Sequence, residues 1–418
     1  MRRIVAKIIL ALAVTAAAGA APDEARLGWD AGYPVGNFKQ GTNWFFDEAV
    51  RVGSFTHEAG IPLYHGDVHT LAPSAHPMPL PRVARTPDYR WAVGKEQGLT
   101  VDDYLARQRV MGLLVIKDGV VQLERYQYGR KPSDRFVSMS MAKSITALGV
   151  GMALAEGRIK SLDDRAEQYL PALKGTLYGG TSLRNLLRMA SGAAFSERYD
   201  GNDDSARYAA AVGRVGVEAA ARDITARAEA AGTRFNYAGA QTTVLGAVLR
   251  AATGQSLADY LTPRLWQAIG AETSALWRTD RTGLEVASGN FNATLEDYGR
   301  LGVVLANDGA RPDLPSAQPI VPQEYLLDAT DWKRVPEPFR PGKATPYFGY
   351  GYLFWLFPGE HRRFAMLGVY GQHLFVDPEL RLVMVQTSAN QTASVAKTSL
   401  GRERNAFWRG LVDHYGRW

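Results

Sequence analysis

Strand character in this sequence is concentrated in two stretches far apart along the chain, with helical character between them, and that order leaves few ways to build a core. The run Leu113-Leu-Val-Ile116, the pair Asp118-Gly119 and the run from Val120 to Tyr128 read as a hairpin, because Asp-Gly suits the positive φ of a tight turn. Strands return at Tyr350 to Phe357, His373 to Val376 and Leu382 to Thr387. Between these stretches lie helical patterns at Leu183 to Met189, Ser205 to Ala231, Thr242 to Ala252, Leu257 to Leu265 and Leu295 to Leu305. One sheet completed by both parts of the chain, with a helical insertion, accommodates this order. The expected fold class is therefore α/β: a sheet domain over 96–180 and 330–418, and an α-helical domain over 181–329. A helix from Ser138 to Gly157, with Ile145, Leu148, Met152 and Ala155 on one face, belongs to the sheet domain. A final helix is expected from about Arg402 to His414.

Residues 21–95 are rich in Gly, Pro and aromatics, and the prolines between Leu71 and Pro81 forbid a continuous helix or a central strand. An extended arm packed on the body is expected there. Thr100-Val-Asp-Asp103 resembles a capping box and starts a short helix to about Arg109. At the beginning of the chain, Arg2, Arg3 and Lys7 precede the apolar run Ile8 to Ala21, which is too short to span a bilayer. With the small residues Ala18-Gly19-Ala20 it reads as a signal peptide over 1–20, cleaved before Ala21. The mature protein is expected in an exported compartment, a periplasm, without a stable membrane anchor.

Those three basic residues contribute half of the formal charge of +6, and no Lys/Arg run or basic-aromatic stripe remains, so nucleic acid is not an expected partner. With no cysteine, disulfides, thiolate nucleophiles and Cys-based zinc sites are excluded. Gly-x-Ser-x-Gly, His-Glu-x-x-His and the Walker A loop are absent as well.

Ser-x-x-Lys occurs twice. In Ser140-Met-Ala-Lys143 it opens a strongly helical apolar segment, so Lys143 returns to the face of Ser140 about one turn later. In a dehydrated pocket the amine loses proton affinity and can accept the serine proton, while the helix N-terminus favours developing negative charge. Ser394-Val-Ala-Lys397 instead lies in a polar connection between the last strand and the last helix. Ser140 is therefore the candidate nucleophile. Tyr237, in Arg234-Phe-Asn-Tyr237-Ala-Gly239, precedes an amphipathic helix and could relay a proton if it faces the serine. In Gly368-Val-Tyr370-Gly371-Gln372, a small residue at a strand entrance would let substrate approach backbone N–H groups and supply an oxyanion donor.

Four motifs now stand in order: Ser140-Met-Ala-Lys143, the segment from Leu183 to Ser191-Gly192, Tyr237-Ala-Gly239, and Gly368-Val-Tyr-Gly371-Gln372. The sequence resembles the serine β-lactamase and penicillin-binding-protein superfamily, nearest to the class C-related esterases and the 6-aminohexanoate-dimer (nylon-oligomer) hydrolases. The resemblance spans about Leu113 to Thr387 and implies a β-lactamase/transpeptidase-like fold, an antiparallel sheet flanked by helices with an all-α insertion. It further implies Ser140 as acylated nucleophile, Lys143 as its proton acceptor and Tyr237 as the relay serving leaving group and water. The backbone N–H groups of Ser140 and Gln372 would form the oxyanion hole. Tyr199, shortly after the Ser-Gly pair, would close over bound substrate, with Tyr370 and Gly371 also in the substrate site.

Two departures bear on substrate. The family's Tyr-x-Asn reads Tyr237-Ala-Gly239, and its third motif, which begins with Lys or His in relatives, reads Val369-Tyr370-Gly371. Without a cationic or polar partner, desolvating a β-lactam carboxylate costs several kcal/mol. A serine hydrolase acting on a neutral ester or linear amide is expected. The alternatives are a β-lactamase or D,D-peptidase, and a non-catalytic peptidoglycan- or ligand-binding member of the same fold. No cofactor is expected. His65-Gly-Asp67-Val-His69 offers three metal-ligand types without a known zinc spacing, so no metal site is expected there. His373 and Asp377, four apart on a strand, lie too far from each other for a direct pair. Tyr347, Tyr350, Tyr352 and Trp355 could line a cleft or belong to the core.

Overall fold

The N-terminal arm forms more regular structure than its prolines suggest: helix α1 (Glu48–Thr56), strand β1 (Val68–Leu71), and the hairpin of β2 (Trp91–Val93) and β3 (Glu96–Leu99). The computed structural model describes residues 23–314, 318–394 and 398–418; the expected signal peptide and Lys397 lie outside the described residues. Helix α2 (Val101–Arg107) has the complete capping box expected of it. The Thr100 hydroxyl accepts from the Asp103 N–H, and the Asp103 carboxylate accepts from the Thr100 N–H. The predicted hairpin follows as β4 (Val110–Lys117) and β5 (Val120–Tyr126), turning through Asp118 and Gly119, both at positive φ. Strand β6 (Arg135–Val137) then leads into α3 (Met141–Ala155).

The helical stretch comprises α4 (Ala166–Tyr169), α5 (Leu183–Leu187), α6 (Asp204–Val215), α7 (Val217–Arg222), α8 (Gly239–Thr253) and α9 (Leu257–Leu261). The single helix expected from Ser205 to Ala231 is broken at Gly216, whose φ of 85° is left-handed. There the Asp280 carboxylate accepts from the Val217 N–H and starts α7 afresh. Nor is the interval 181–329 wholly helical, because β7 (Ala275–Arg278) and β8 (Phe291–Thr294) lie inside it. Both strands are short and buried on both faces, so no alternation marks them in the sequence. After α10 (Leu295–Ala306) and α11 (Gln323–Thr330) come β9 (Gly349–Tyr350), β10 (Trp355–Leu356), β11 (Phe364–Gly368), β12 (Gln372–Asp377), β13 (Leu382–Ser388) and α12 (Ser399–Tyr415). The strand expected over Tyr350 to Phe357 is thus two strands, interrupted at Leu353, a left-handed residue whose carbonyl accepts from the Ser144 hydroxyl.

These strands form a seven-stranded antiparallel sheet in the order β5-β4-β13-β12-β11-β10-β9, completed by both parts of the chain as the sequence pattern requires. A second sheet, β1-β7-β8-β6, joins the arm to the body. Helix α10 covers one face of the large sheet, and α12 with α2 covers the other, where Phe407 and Trp408 meet Leu113, Val115 and Phe375. Helix α3 is buried along nearly its whole length. It fits so closely that a Cβ on Gly151 would stand 2.4 Å from the Tyr325 ring, and one on Gly149 2.8 Å from Leu249. Among the described residues, no helix is long and apolar enough to cross a membrane.

Candidate active site

Ser140 is placed by a strained turn between β6 and α3. The Ser138 N–H donates to the Phe291 carbonyl at 2.6 Å, holding the end of β6 on β8, and Met139 then adopts a φ of 45°. A non-glycine residue in the left-handed region is costly and is kept only where the surroundings dictate it. Its effect is to deliver Ser140 as the N-cap of α3, beside the positive end of that helix.

One turn on, Lys143 is 3% exposed, and its Nζ lies 2.8 Å from Ser140 Oγ and 2.8 Å from the Ser288 carbonyl. Burial pushes its pKa down to about 8, against the opposing pull of the Glu197 carboxylate. The amine also sits 5.1 Å from the centre of the Tyr237 ring.

Tyr237 is fixed from both sides. The Asn236 side chain donates to the Ala193 and Phe195 carbonyls, while Tyr350 and Trp355 pack against the Tyr237 ring. Burial, with Glu197 adding to it, raises the phenol well above its usual range; Ser140 acts in the other direction. Tyr237 is therefore a neutral phenol at ordinary pH, able to pass a proton along but not to hold the charge of a base. Tyr350 and Trp355, weighed in the sequence as cleft or core, buttress this residue, while Tyr352 is buried against Tyr325 and Tyr347 packs on Phe348 and Phe357.

Tyr199 also belongs to the site. Its hydroxyl donates to Glu197 Oε1 at 2.7 Å, and its N–H donates to Asp203 Oδ2 at 2.8 Å, holding it at a φ of 61°. Asp203 simultaneously caps α6 through the Ala206 N–H. Glu197 Oε2 accepts from the Gly239 N–H at the start of α8, so one carboxylate links the loop of Tyr199 to the helix that follows Tyr237. Neither Glu197 nor Asp203 stands out in the sequence, because a lone acid in a loop has no spacing to mark it.

The third motif is arranged differently from the sequence expectation. Gln372 is a fully buried β12 residue paired with Gly368, and its side-chain amide donates to the Ser388 carbonyl at 2.6 Å. It does not line the pocket; Val369 does. Gly368 lies so near the nucleophile's turn that a Cβ on it would stand 2.5 Å from the Ser138 carbonyl oxygen. Ser140 is an N-cap and Val369 opens a 3-10 turn, so neither N–H has an intrahelical acceptor. These two amides, rather than those of Ser140 and Gln372, are the candidate oxyanion donors. Gly371 and Tyr370 also turn away from the pocket. Space for a Cβ at Gly371 is taken by Ser388 and Asn390, and the Tyr370 ring packs on Phe45, Phe55 and the Arg51 guanidinium.

Other sequence candidates are dispersed. His69 Nδ1 pairs with Glu285 at 2.8 Å, and Asp67 bonds Thr279 through its backbone, so the histidine-rich loop fastens β1 to the neighbouring turn. Buried His373 faces Arg404 and is held neutral, while Asp377 pairs with Arg363. Ser394 is exposed.

Ser140, Lys143, Glu197, Tyr199 and Val369 open onto one cavity of about 300 Å³. A family model described as Beta-lactamase matches residues 100–403, well over half of the chain. The chain belongs to the Beta-lactamase family. This family member is 28% identical over 285 residues, 66% of its own length and 71% of the relative's, to the 6-aminohexanoate-dimer hydrolase of Paenarthrobacter ureafaciens. It is 35% identical over 121 residues, 26% of its length and 34% of the relative's, to a beta-lactamase of Pseudomonas fluorescens.

Among solved structures, a Bacillus anthracis protein assigned provisionally as a 6-aminohexanoate-dimer hydrolase superposes with a TM-score of 0.78 at 23% identity. That alignment covers 89% of this chain and 96% of the other. The octameric penicillin-binding protein homologue of Pyrococcus abyssi superposes with a TM-score of 0.57 at 18% identity, covering 76% of each chain. These likenesses establish the β-lactamase/transpeptidase-like fold. The Beta-lactamase family member is a β-lactamase-related serine hydrolase acting on an amide or ester.

Proposed function

We propose that the enzyme hydrolyses neutral carboxylic esters or linear amides through an acyl-Ser140 intermediate. The observation that carries this reading is the 2.8 Å contact between Ser140 Oγ and a buried Lys143 amine whose pKa is lowered to about 8. Ser140 Oγ attacks the carbonyl carbon as its proton passes to neutral Lys143, and the oxyanion is received by the Ser140 and Val369 N–H groups. As the tetrahedral intermediate collapses, the proton moves from Lys143 through the Tyr237 hydroxyl to the departing alcohol or amine. Water then attacks the acyl-serine, giving its proton to Lys143, and as the bond to Ser140 Oγ breaks Lys143 returns that proton to the serine, releasing the acid. Lys143 takes the base role because Tyr237 is held well above the range in which a phenolate forms.

The pocket's charge supports a neutral substrate. Glu197 and Asp203 line it, and Lys143 is the one cation among its lining residues, already committed to Ser140 and Ser288. A carboxylate there meets like charge without a free partner. The amide chemistry of the Paenarthrobacter ureafaciens relative makes linear amides the first class to try.

The deciding experiment compares initial rates on a short p-nitrophenyl ester, a linear N-acyl amide and a chromogenic cephalosporin. Ester or amide turnover that falls on the order of a thousandfold in Ser140→Ala and Lys143→Ala is expected. Preferred cephalosporin turnover would select the β-lactamase reading, and no turnover with no fluorophosphonate label on Ser140 the binding-protein reading. We also propose export with cleavage before Ala21, which N-terminal sequencing of the protein from its native host tests.

A further inference from the structure

The family match begins at residue 100, yet one wall of the cavity beside Ser140 comes from the arm that precedes it. Trp44, Phe45, Phe46 and Tyr64 line that cavity together with Ala209 and Val212 of α6, and apolar atoms make up the greater part of the exposed lining of this slot. We propose that this arm segment is the specificity-determining wall of the active site, selecting substrates with an uncharged aliphatic or aromatic chain beside the scissile carbonyl. The inference rests on the hydrolase reading above and adds to it the element that chooses the substrate.

A wall can select only if it is held in place. The Asn43 side chain accepts from the N–H groups of Phe45 and Phe46, fixing the aromatic turn from within. Arg51, 2% exposed, donates to the Phe46 carbonyl at 2.9 Å and to the Asn390 carbonyl across the arm–body boundary. Its guanidinium lies 4.0 Å from the centre of the Tyr370 ring, and Phe45 packs on that same ring with centroids 5.0 Å apart. Tyr370 directly follows Val369, the candidate oxyanion donor. One arginine therefore ties the apolar wall to the turn that receives the reacting carbonyl, which makes Arg51 a positioning residue.

The base of the slot is tied to the arm as well. Asn290 lines the cavity and donates to Glu58 Oε1 at 2.9 Å, a carboxylate that also accepts from Asn292 and from Arg278 of β7. Phe46 is 43% exposed and lies close to Gly201 of the loop that carries Tyr199, so it stands at the rim where a chain would enter.

The test measures kcat and KM for two homologous series on the full-length mature enzyme: p-nitrophenyl esters from acetate to octanoate, and alkyl acetates from methyl to octyl. In one series kcat/KM should climb with length until the slot is filled, by about fourfold for each methylene fully removed from water. Phe46→Ala, at a part-exposed site that tolerates truncation, should flatten that climb mainly through KM. Arg51→Met should flatten it too and in addition lower kcat, because the Tyr370 turn loses its support. Should Arg51→Met fail to fold, Phe46→Ala alone decides. A climb absent from both series, or one that survives Phe46→Ala, overturns the proposal. Fluorophosphonate labelling of Ser140 separates the two readings: labelled, active enzyme without chain-length dependence overturns the wall alone, whereas no label and no turnover overturn both.

Discussion

Lys143 carries the sharpest consequence of the site's architecture. A lysine at its ordinary pKa of 10.5 would be almost wholly charged at neutral pH and unable to accept a proton, whereas burial brings this one to about 8. Ester kcat/KM should accordingly rise with pH through a midpoint near 8 and level off above it; a midpoint near 10 would remove Lys143 from the base role. The same shift bears on stability. Between about 8 and 10.5 the unfolded chain binds a proton at this position that the folded chain does not, so stability rises with pH across that window. At pH 7 the folded protein carries the full cost, roughly 3 kcal/mol. Lys143→Met forgoes two contacts worth about 1 kcal/mol each, so at pH 7 it should be inactive yet about 1 kcal/mol more stable. Denaturant midpoints should show that advantage shrinking as the pH approaches 10.5.

At the level of elements, catalysis depends on how closely β11 approaches the turn into α3. A methyl group on Gly368 would press into the Ser138 carbonyl and the Met139 side chain, moving Val369 away from Ser140. Gly368→Ala should therefore lower kcat about tenfold or more, the scale of a weakened oxyanion donor, with KM changing much less; steady-state kinetics on the short ester check this. That approach also shows what the sequence could and could not reveal. Ser140 and Lys143 are legible because a helix brings residues three apart onto one face, and the hairpin is legible from Asp118-Gly119. Strands β12 and β13 are legible as strand, but β11 between them and β10 is not, nor is which amide faces the pocket. Val369 and Gln372 are three residues apart, and only the pairing of Gly368 with Gln372 decides which one turns inward. Strands β7 and β8 escape notice for a related reason, since their burial comes from β1 and β6, far away in the sequence.

Across the whole molecule, three buried arginines bind the arm to the body, and each crosses the boundary in its own way. Arg109 of the body reaches the Glu24 carboxylate at 2.8 Å and the carbonyls of Leu27 and Glu48. Arg278 of β7 holds Glu58, and Arg51 of the arm grips the Asn390 carbonyl. None of these residues is more than 2% exposed, so pulling the arm away would strand guanidinium groups and carbonyls that water does not reach in the folded protein. An arm fastened this way has no separate equilibrium of its own, even though it precedes the residues that the family model matches. Arg278→Met leaves the Glu58 carboxylate buried with only its two asparagine donors, a loss of about 3 to 5 kcal/mol. The variant should melt at a lower temperature but still in one step. Tryptophan fluorescence, which includes Trp44 of the arm, should coincide with far-UV circular dichroism and with residual ester hydrolysis across the transition. If fluorescence and activity were lost ahead of the circular dichroism, the arm would be a separately unfolding unit, and the wall it forms beside Ser140 would be a movable one.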